Sequence, residues 1–510
     1  MKSAPINASP ERVRFSDLFG PGLAPITLTV LASTAMNSFE GLAVATVLPD
    51  IADDLGRIDL IGWVVTAYLI PSAVVGVAAG SLVDSVGARL TYRIGVLGFI
   101  VGSVLAALAP TLAILIGVRV VQGAAAGMVI SAALSSIGIV LPVRLRSRSM
   151  AAASTVWGVM GMGAPALGAV INEFSGWRAV MWAIVPIAGV AAVAGWNSMP
   201  EVVGSATDPL TARADAPASG SSSRSRFDVV GLAILAAFTV ALILGLSKVA
   251  VSSIPFLVGA GAVAVGLWLW LRQVGNPLFN PREVLTGPYL LPNLAPLGAM
   301  AAVPGFNSYI ALYARVAGDQ QGIWAAIGIL GVTLGWTTGA NIASRVLDFR
   351  PERSVIGAGY GLMGVGLVIV AVAAPGVHLG VVYGGLFIAG LGVGATANSS
   401  FLLLQRVAPD SAMGRASSMH QYVRAVGVTI GVAVTGAVIF ATVEMRGGDA
   451  EQIRDALGET ADSVSVDADA AQALASGFGY AALGGAALLL VIAAIVVLAG
   501  KSAPTEDLPG

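Results

Sequence analysis

Cysteine is absent from the sequence, and histidine occurs only twice, at His378 and His420. Disulfides and thiolate metal sites are therefore excluded, and a metal site built from several histidines is not expected. Charge is also scarce, since 11% of the residues are charged whereas a soluble globular domain carries about 25%. The net charge of −1 gives no indication of a nucleic-acid partner. This composition indicates a surface that mostly does not face water.

Hydrophobic residues are abundant instead, at 56% of the chain, with a mean hydropathy of +0.86. Apolar runs near the roughly 20 residues that span a bilayer recur along the whole chain. Because backbone groups in lipid must pair within their own segment, each run is expected to be a helix. The fourteen predicted spans are 25–49, 60–80, 91–109, 111–139, 149–172, 179–197, 228–247, 254–271, 286–314, 322–344, 354–374, 378–405, 417–443 and 473–499.

The spans divide into two sets of six with two further spans between them. The predicted order is a cytoplasmic tail (1–24), a six-span bundle (25–197), a cytoplasmic linker (198–227), two extra spans (228–271), a second six-span bundle (286–499) and a cytoplasmic tail (500–510). With both termini in the cytoplasm, nineteen of the 27 Lys and Arg residues fall inside, six outside and two within spans. This distribution is typical of a plasma-membrane protein with these loops inside.

The loop between the second and third spans contains Gly80, Asp84, Gly87 and Arg89. Gly87 permits a tight turn, and Asp84 is expected to pair with Arg89 or to cap a neighbouring helix. The spacing resembles the signature loop of the major facilitator superfamily, in which this loop takes part in conformational change, although two of its usual basic residues are missing. The alternative is an ordinary short polar turn.

The fourth span contains Arg119, Gln122 and Gly123, a pattern that resembles the Arg-x-x-Gln-Gly motif of the same family. An arginine within a span costs roughly 2.5–3.5 kcal/mol on insertion scales and usually faces a cavity or a partner. The alternatives for Arg119 are that it only extends toward the interface or forms a structural ion pair.

The fifth span places Gly161, Ala164, Pro165 and Gly168 on one helix face. Small residues on one face permit close helix approach, and a proline permits a bend. The face resembles the antiporter motif of the family, with alanine at two positions where the family usually has glycine. Generic helix packing is the alternative.

The first span contains Glu40, and Pro49 follows nine residues later. These residues fall on the acid and the proline of a pattern typical of the fourteen-span drug:proton antiporters. The resemblance implies two six-helix bundles with a substrate cavity between them and transport by alternating access.

Glu40 is the acid well inside an apolar run of the first half, and burial disfavours the charged form of a carboxyl group. We therefore predict that Glu40 binds and releases the transported proton, and that Arg119 tunes this exchange. The alternative is a fixed structural pair.

Polar residues within the other apolar spans are candidates for the cavity wall. The predicted set is Asn37, Gln122, Asn307, Tyr309, Asn398, Gln421 and Arg424. The alternative for each is that it only bridges neighbouring helices. Trp157 and Trp336 lie deep in their spans and are predicted to pack between helices. The alternative is that they line the cavity.

The predicted function is a monomeric, proton-coupled exporter of small amphipathic or cationic compounds in the bacterial inner membrane. No cofactor or metal is expected. An ATPase is not expected either, because the Gly500-Lys501-Ser502 sequence has Ile495 where a phosphate loop requires its first glycine. An enzyme is not expected, because no nucleophile–base set is found. The alternatives are a proton-coupled nutrient symporter and a lipid exporter with an extracytoplasmic partner, which the long acidic loop near 445–470 would fit.

Overall fold

The computed structural model describes residues 14–56, 60–201, 228–247, 254–275, 277–279, 284, 287–320, 323–450, 453 and 467–501. The described part is all-α. Its helices in the first half are α1 (Ala24–Thr46), α2 (Leu48–Leu55), α3 (Gly62–Val86), α4 (Ala88–Ala107), α5 (Leu112–Val140), α6 (Val143–Ser175) and α7 (Trp177–Gly195). The remaining helices are α8 (Val229–Ser247), α9 (Ile254–Gln273), α10 (Leu290–Ala302), α11 (Gly305–Val316), α12 (Ile323–Val346), α13 (Glu352–Ala373), α14 (Leu379–Val407), α15 (Met413–Met445) and α16 (Ala468–Lys501).

Ten of the described helices are long and apolar enough to cross a membrane, or eleven if the bent pair α1–α2 counts as one span. The predicted all-α architecture is therefore confirmed. Helix α9, the pair α10–α11 and helix α12 occupy the positions of the other three predicted spans. The exact count of fourteen spans stays a prediction.

Two sets of helices repeat the same packing pattern. In the first set, α1 packs against α6 and α7, α5 against α3 and α4, and α4 against α7. In the second set, α10 packs against α15 and α16, α14 against α12 and α13, and α13 against α16. Each set encloses its own hydrophobic core. The sets meet where α3 packs against α15 and α6 against α12, so the fold is internally repeated.

Glycines with positive φ form the shortest connections between helices. Gly87 (φ +93°) ends α3, and α4 begins at the next residue, while Gly176 (φ +76°) joins α6 to α7 in the same way. These backbone conformations are readily reached only by glycine. The Gly87 joint fixes where the predicted signature loop turns.

Several predicted spans differ from the structure. The span predicted at 60–80 continues to Val86, so Gly80 and Asp84 lie in α3, Arg89 lies in α4, and the predicted loop between these spans is reduced to Gly87. The span predicted at 25–49 ends at Thr46, and the chain bends by 58° into α2, which has Pro49 in its first turn. The span predicted at 286–314 is two helices, because Pro304 lies at the break and has no N–H to continue the hydrogen-bond ladder. Broken helices are tolerated at membrane depth where they line a cavity.

Helices α8 and α9 pack against each other and lie over the contact between α3 and α15. The hydroxyls of Thr239 and Tyr422 lie 2.7 Å apart and join α8 to α15. Asp228 accepts hydrogen bonds from the Gly231 amide (2.7 Å) and the Trp270 indole (3.0 Å), which fixes α8 to α9.

The two predicted tails, the predicted linker and the long acidic loop lie largely outside the described residues. The parts outside are residues 1–13 of the first tail, 202–227 of the linker, 451–452 and 454–466 of the acidic loop, and 502–510 of the last tail.

Candidate functional site

A cavity of about 490 Å³ lies between the two sets of helices. Helices α1, α5 and α6 contribute side chains from the first set, and α10, α11, α12, α14 and α15 from the second. Five of the predicted cavity residues line it: Asn37, Asn307, Asn398, Gln421 and Arg424. The broken pair α10–α11 contributes Met300, Pro304 and Ser308 beside Asn307, so the helix break faces the cavity.

The other two predicted cavity residues lie elsewhere. Gln122 is fully buried and hydrogen-bonded between helices of the first set. Tyr309 packs edge-on against Phe440, with ring centroids 5.9 Å apart, and is absent from the residues that line the cavity. Both sit on cavity-forming helices, but their side chains project toward neighbouring helices, a direction that residue type alone does not reveal.

Trp157 and Trp336 belong to the cavity wall, the alternative that the sequence left open. Trp157 comes from α6 and Trp336 from α12, and their rings stack with centroids 6.0 Å apart and planes at 21°. Each set of helices thus contributes one tryptophan to a continuous aromatic surface.

Arg424 is the charged residue among the described residues that line the cavity. Its Nη1 donates to Oε1 of Gln421 at 2.7 Å, and its guanidinium carbon lies 5.8 Å from the Trp336 ring centroid. Its buried Nε has no hydrogen-bond partner among the described residues.

Glu40 and Arg119 form an ion pair in the core of the first set, with 0% and 1% of their side chains exposed. The Arg119 Nη1 also donates to Oε1 of Gln122 (2.9 Å), and its Nε donates to the Val64 carbonyl (3.0 Å). Gln122 in turn donates to the second carboxylate oxygen of Glu40 (3.2 Å) and to the Ser103 hydroxyl (2.9 Å). This network joins α1, α3, α4 and α5 and satisfies both charges.

Close packing of α3 on α5 positions this network. A Cβ atom at Gly123 would overlap the Tyr68 carbonyl, so only glycine permits this approach. The approach places the Tyr68 ring against Arg119, with the guanidinium carbon 4.6 Å from the ring centroid. The hydroxyl of Tyr68 donates to Oδ1 of Asn37 at 3.2 Å, and Asn37 lines the cavity.

Tyr68 therefore connects the buried ion pair to the cavity, and the sequence analysis missed it. Ser103 was missed as well. Tyrosine and serine are common in apolar spans, so neither residue type is a signal by itself. The close spacing of Arg119, Gln122 and Gly123 was the usable signal, because it indicates a tight contact with another span.

The predicted signature loop links the two sets of helices. Asp84 accepts hydrogen bonds from the backbone amides of Gly414 (2.7 Å) and Arg415 (3.0 Å) at the start of α15. The carboxylate thus caps a helix N-terminus. Arg89 contacts the segment that follows α7 instead, donating to the Met199 carbonyl at 2.9 Å and pairing with Glu201. A Cβ at Gly80 would overlap Ser418, so Gly80 permits the close crossing of α3 and α15.

The predicted antiporter-like face of α6 is divided between two neighbours. Ideal Cβ positions at Gly168 and Gly161 lie 3.2 Å from Ala43 of α1 and 3.2 Å from Thr333 of α12, respectively. Ala164 is fully buried between them, and α6 continues through Pro165 without ending. The face therefore packs partly within its own set and partly across the cavity.

Several hydrogen bonds between the sets lie on the side of the molecule that carries the Gly87 connection. Among them are those of Ser131 with Ser418 (2.5 Å), Arg148 with Asp348 (2.5 Å), Asn398 with the Ser147 carbonyl (3.3 Å) and Asp84 with the Gly414 amide (2.7 Å). These bonds close the cavity toward this end, which the basic loops predict to be cytoplasmic.

Two repeated helical sets around a central cavity, with many apolar spans, define a multi-pass membrane transporter. A family model described as Major Facilitator Superfamily matches residues 29–432. The chain belongs to the major facilitator superfamily, and it is accordingly a transporter rather than an enzyme.

Three relatives illustrate the range of this family. The chain is 29% identical over 460 residues to an uncharacterized MFS-type transporter of Mycobacterium tuberculosis, covering 84% of this chain and 62% of that relative. It therefore spans less than two thirds of that relative's length. It is 27% identical over 428 residues to a triacylglyceride transporter of Mycolicibacterium smegmatis (79% and 73% covered). It is 24% identical over 436 residues to a probable multidrug-efflux transporter of Mycobacterium tuberculosis (81% and 87% covered).

A solved bacterial homologue of the iron transporter ferroportin, in an outward-facing state, has a similar fold. It matches with a TM-score of 0.58 over 94% of this chain and 99% of that chain, at 12% identity. This likeness concerns the fold alone.

Proposed function

We propose that the chain is a proton-coupled exporter of small amphipathic compounds. It works by alternating access in a bacterial inner membrane, with both termini in the cytoplasm, as a monomer and without a cofactor. Substrate binds in the cavity beside Trp157 and Trp336, and an inward proton gradient drives it outward. The similarity to a probable multidrug-efflux transporter supports the choice of export.

One observation above all supports proton coupling: the buried Glu40–Arg119 pair lies one side chain away from the cavity. Arg119 stabilises the ionised form of Glu40, and a proton on Glu40 weakens their attraction. Tyr68 touches Arg119 with its ring and Asn37 with its hydroxyl, so a change at the pair reaches the cavity. Protonation of Glu40 and occupation of the cavity are thereby coupled through a shared set of contacts.

The test is proton release from liposomes that contain the purified protein. Addition of an amphipathic substrate to one side is expected to drive proton release through the wild type but not through the Glu40→Gln variant. The glutamine keeps the shape and an oxygen that accepts from Arg119, but it cannot exchange a proton. Glu352→Gln is the matched control, because Glu352 is also buried and ion-paired, to Arg406 at 2.8 Å, outside the network.

Equal proton release by wild type and the Glu40→Gln variant would assign Glu40 a structural role. If wild type moves substrate without protons, coupling itself is contradicted. The Glu40→Gln variant leaves the buried charge of Arg119 without its partner, which can destabilise a protein by about 3–5 kcal/mol. The double variant Glu40→Gln, Arg119→Gln removes both charges and serves as a second comparison that is expected to fold.

A lipid exporter is the second candidate, favoured by the similarity to a triacylglyceride transporter. The acidic loop near 445–470, the feature expected to meet an extracytoplasmic partner, lies largely outside the described residues. Fluorescent triacylglyceride transfer between vesicles distinguishes the two functions, since the proposed exporter of small compounds does not transfer it.

A further inference from the structure

We propose that the cavity selects amphipathic anions: compounds with a carboxylate, sulfonate or phosphate group attached to an apolar, preferably aromatic, body. Arg424 binds the anionic group, and the paired tryptophans bind the body. This inference rests on the proposed export function and names the substrate class of the same cavity. It differs from the cationic compounds that the sequence analysis included among the predicted substrates.

Arg424 has the contacts of a cation prepared for a ligand. Two buried arginines have carboxylate partners, Asp348 for Arg148 and Glu40 for Arg119. Arg424 has no carboxylate of the described residues within ion-pairing distance, and Gln421 is its hydrogen-bond acceptor. Its buried Nε is unsatisfied there. A partly buried guanidinium with an unbonded Nε is costly, and an anion in the cavity would relieve that cost.

The acid that could attract a cation is not accessible from the cavity. Glu40 is 0% exposed, and Arg119 and Gln122 satisfy both of its carboxylate oxygens. The pair is neutral as a unit, which leaves Arg424 as the net charge that a substrate meets. In a cavity of low dielectric constant this charge repels cations and attracts anions.

The apolar body has a defined place next to this charge. The stacked rings of Trp157 and Trp336 form one wall, and the Arg424 guanidinium lies 5.8 Å from the nearer ring. The Arg424 site for the anionic group and the tryptophan wall are therefore adjacent. A substrate whose aromatic ring is a few bonds away from its acidic group would contact both. The volume of about 490 Å³ falls within the usual range of small-molecule sites.

Two unsatisfied acceptors refine the substrate class further. Oδ1 of Asn307 and Oδ1 of Asn398 are buried without a hydrogen-bond partner among the described residues, and both side chains line the cavity. Buried acceptors are normally bonded. A hydroxyl or amide donor on the substrate body would satisfy them, so hydroxylated aromatic acids are expected to bind better than unsubstituted ones.

The inference is tested by calorimetric binding to the full chain in phosphatidylcholine nanodiscs. The probes are naphthalene-1-acetate and (naphthalen-1-ylmethyl)trimethylammonium, which share a ring and carry opposite charges. Wild type is expected to bind the anion roughly tenfold or more tightly than the cation. Arg424→Gln removes this preference, and Arg424→Lys keeps most of it. Arg345→Gln, an exposed arginine outside the cavity, is the matched control.

Wild-type preference for the cation, or unchanged anion affinity in a folded Arg424→Gln variant, overturns the inference. Equal thermal midpoints of the Arg424→Gln and Arg345→Gln variants show that the Arg424→Gln variant is folded. If that variant does not fold, the comparison of anion and cation binding by the wild type still tests the inference. Competition by lysophosphatidate separates the two sources of this chemistry. Displacement of naphthalene-1-acetate by it supports a lipid head group, and exclusion of it supports a soluble acid.

The same probes separate this inference from the proposed exporter. Binding of the anion that depends on Arg424 but drives no proton release supports the anion site and contradicts proton-coupled export. Proton release that the cation drives through Glu40, independently of Arg424, supports the exporter and contradicts the anion site.

Discussion

Arg119 and Arg424 are the two arginines deep within apolar helices, and their surroundings differ in kind. Arg119 is enclosed by the Glu40 carboxylate, the Gln122 amide oxygen and the Val64 carbonyl. Arg424 has one amide acceptor and an open cavity beside it. A fully paired buried charge resists change unless its partner titrates, whereas a partly paired one favours a ligand of opposite charge. The first therefore suits proton coupling and the second suits substrate binding.

Tyr68 is expected to transmit the state of the Glu40–Arg119 pair to the cavity. Tyr68→Phe keeps the ring on Arg119 and removes the hydroxyl that donates to Asn37. One hydrogen bond contributes about 0.5–1.5 kcal/mol, so coupling is expected to fall by roughly two- to tenfold. The measurement is protons released per substrate exported, with substrate affinity in the same liposomes.

Tyr360→Phe is the matched control for this variant. It also removes a buried hydroxyl, which donates to the Ala295 carbonyl at 2.8 Å in the second set of helices. A purely structural role of Tyr68 would lower transport and proton release together and leave their ratio at the wild-type value.

At the residue scale, the sequence predicted which charged residues meet better than it predicted where the polar residues around them point. Glu40 and Arg119 are opposite charges in spans where each is costly alone, so their meeting followed from physics. Gln122 was placed in the cavity because it is polar, yet it hydrogen-bonds to Glu40 and Ser103. The direction of a polar side chain depends on helix rotation, which an apolar helix with few polar residues does not specify.

Helices α3 and α15 form the element that holds the two sets together at the predicted cytoplasmic end. Gly80 permits their close crossing, Asp84 caps the start of α15, and the hydroxyls of Ser131 and Ser418 meet beside them. Helices α8 and α9 cover the outside of this contact. The proposed alternating access requires this contact to open, so we predict that the helix cap at Asp84 stabilises the closed state.

Asp84→Asn is expected to open this end of the molecule more often. The asparagine keeps one acceptor oxygen but loses the charge that favours a helix N-terminus, and hydrogen bonds to charged groups contribute about 1.5–3 kcal/mol. The cysteine-free chain permits a direct measurement. A single Ser418→Cys reporter is buried in the closed state, and its maleimide labelling is expected to accelerate roughly tenfold in the Asp84→Asn background.

Asp17→Asn provides the comparison, since Asp17 also accepts a backbone amide hydrogen bond, from Arg14 at 2.8 Å, but away from this contact. An unchanged labelling rate in the Asp84→Asn background would show that the α3–α15 contact does not depend on this carboxylate.

Helix positions were predictable because apolar length is a strong signal, whereas helix breaks were not. The break at Pro304 and the 58° bend after Thr46 each lie inside a single apolar run. Hydropathy does not locate them, because the residues at the breaks, Val47 and Val303, are themselves apolar. A proline is not a sufficient signal either, since α6 continues through Pro165. The small-residue face of α6 was predicted as one surface but contacts two neighbours, since a long helix crosses more than one partner.

At the scale of the whole molecule, the repeated packing of the two sets places the cavity where neither set alone could form it. The charged residues inside the spans are divided between the two sets: the neutral Glu40–Arg119 pair lies inside the first set, and Arg424 extends from the second set into the cavity. In a complete transport cycle every charge of the protein returns to its starting position, so the net charge moved depends on the substrate and the proton alone.

That balance leads to the last prediction. Exchange of one proton inward for one monovalent anion outward moves two positive charges inward, whereas exchange for a monovalent cation moves none. Each charge crossing 100 mV contributes about 2.3 kcal/mol, so an interior-negative potential of that size adds about 4.6 kcal/mol to anion export. Potassium–valinomycin clamps in liposomes provide the measurement. Export of naphthalene-1-acetate is expected to accelerate as the potential becomes negative on the side that it leaves. Anion export that ignores the potential would contradict one-for-one exchange with protons.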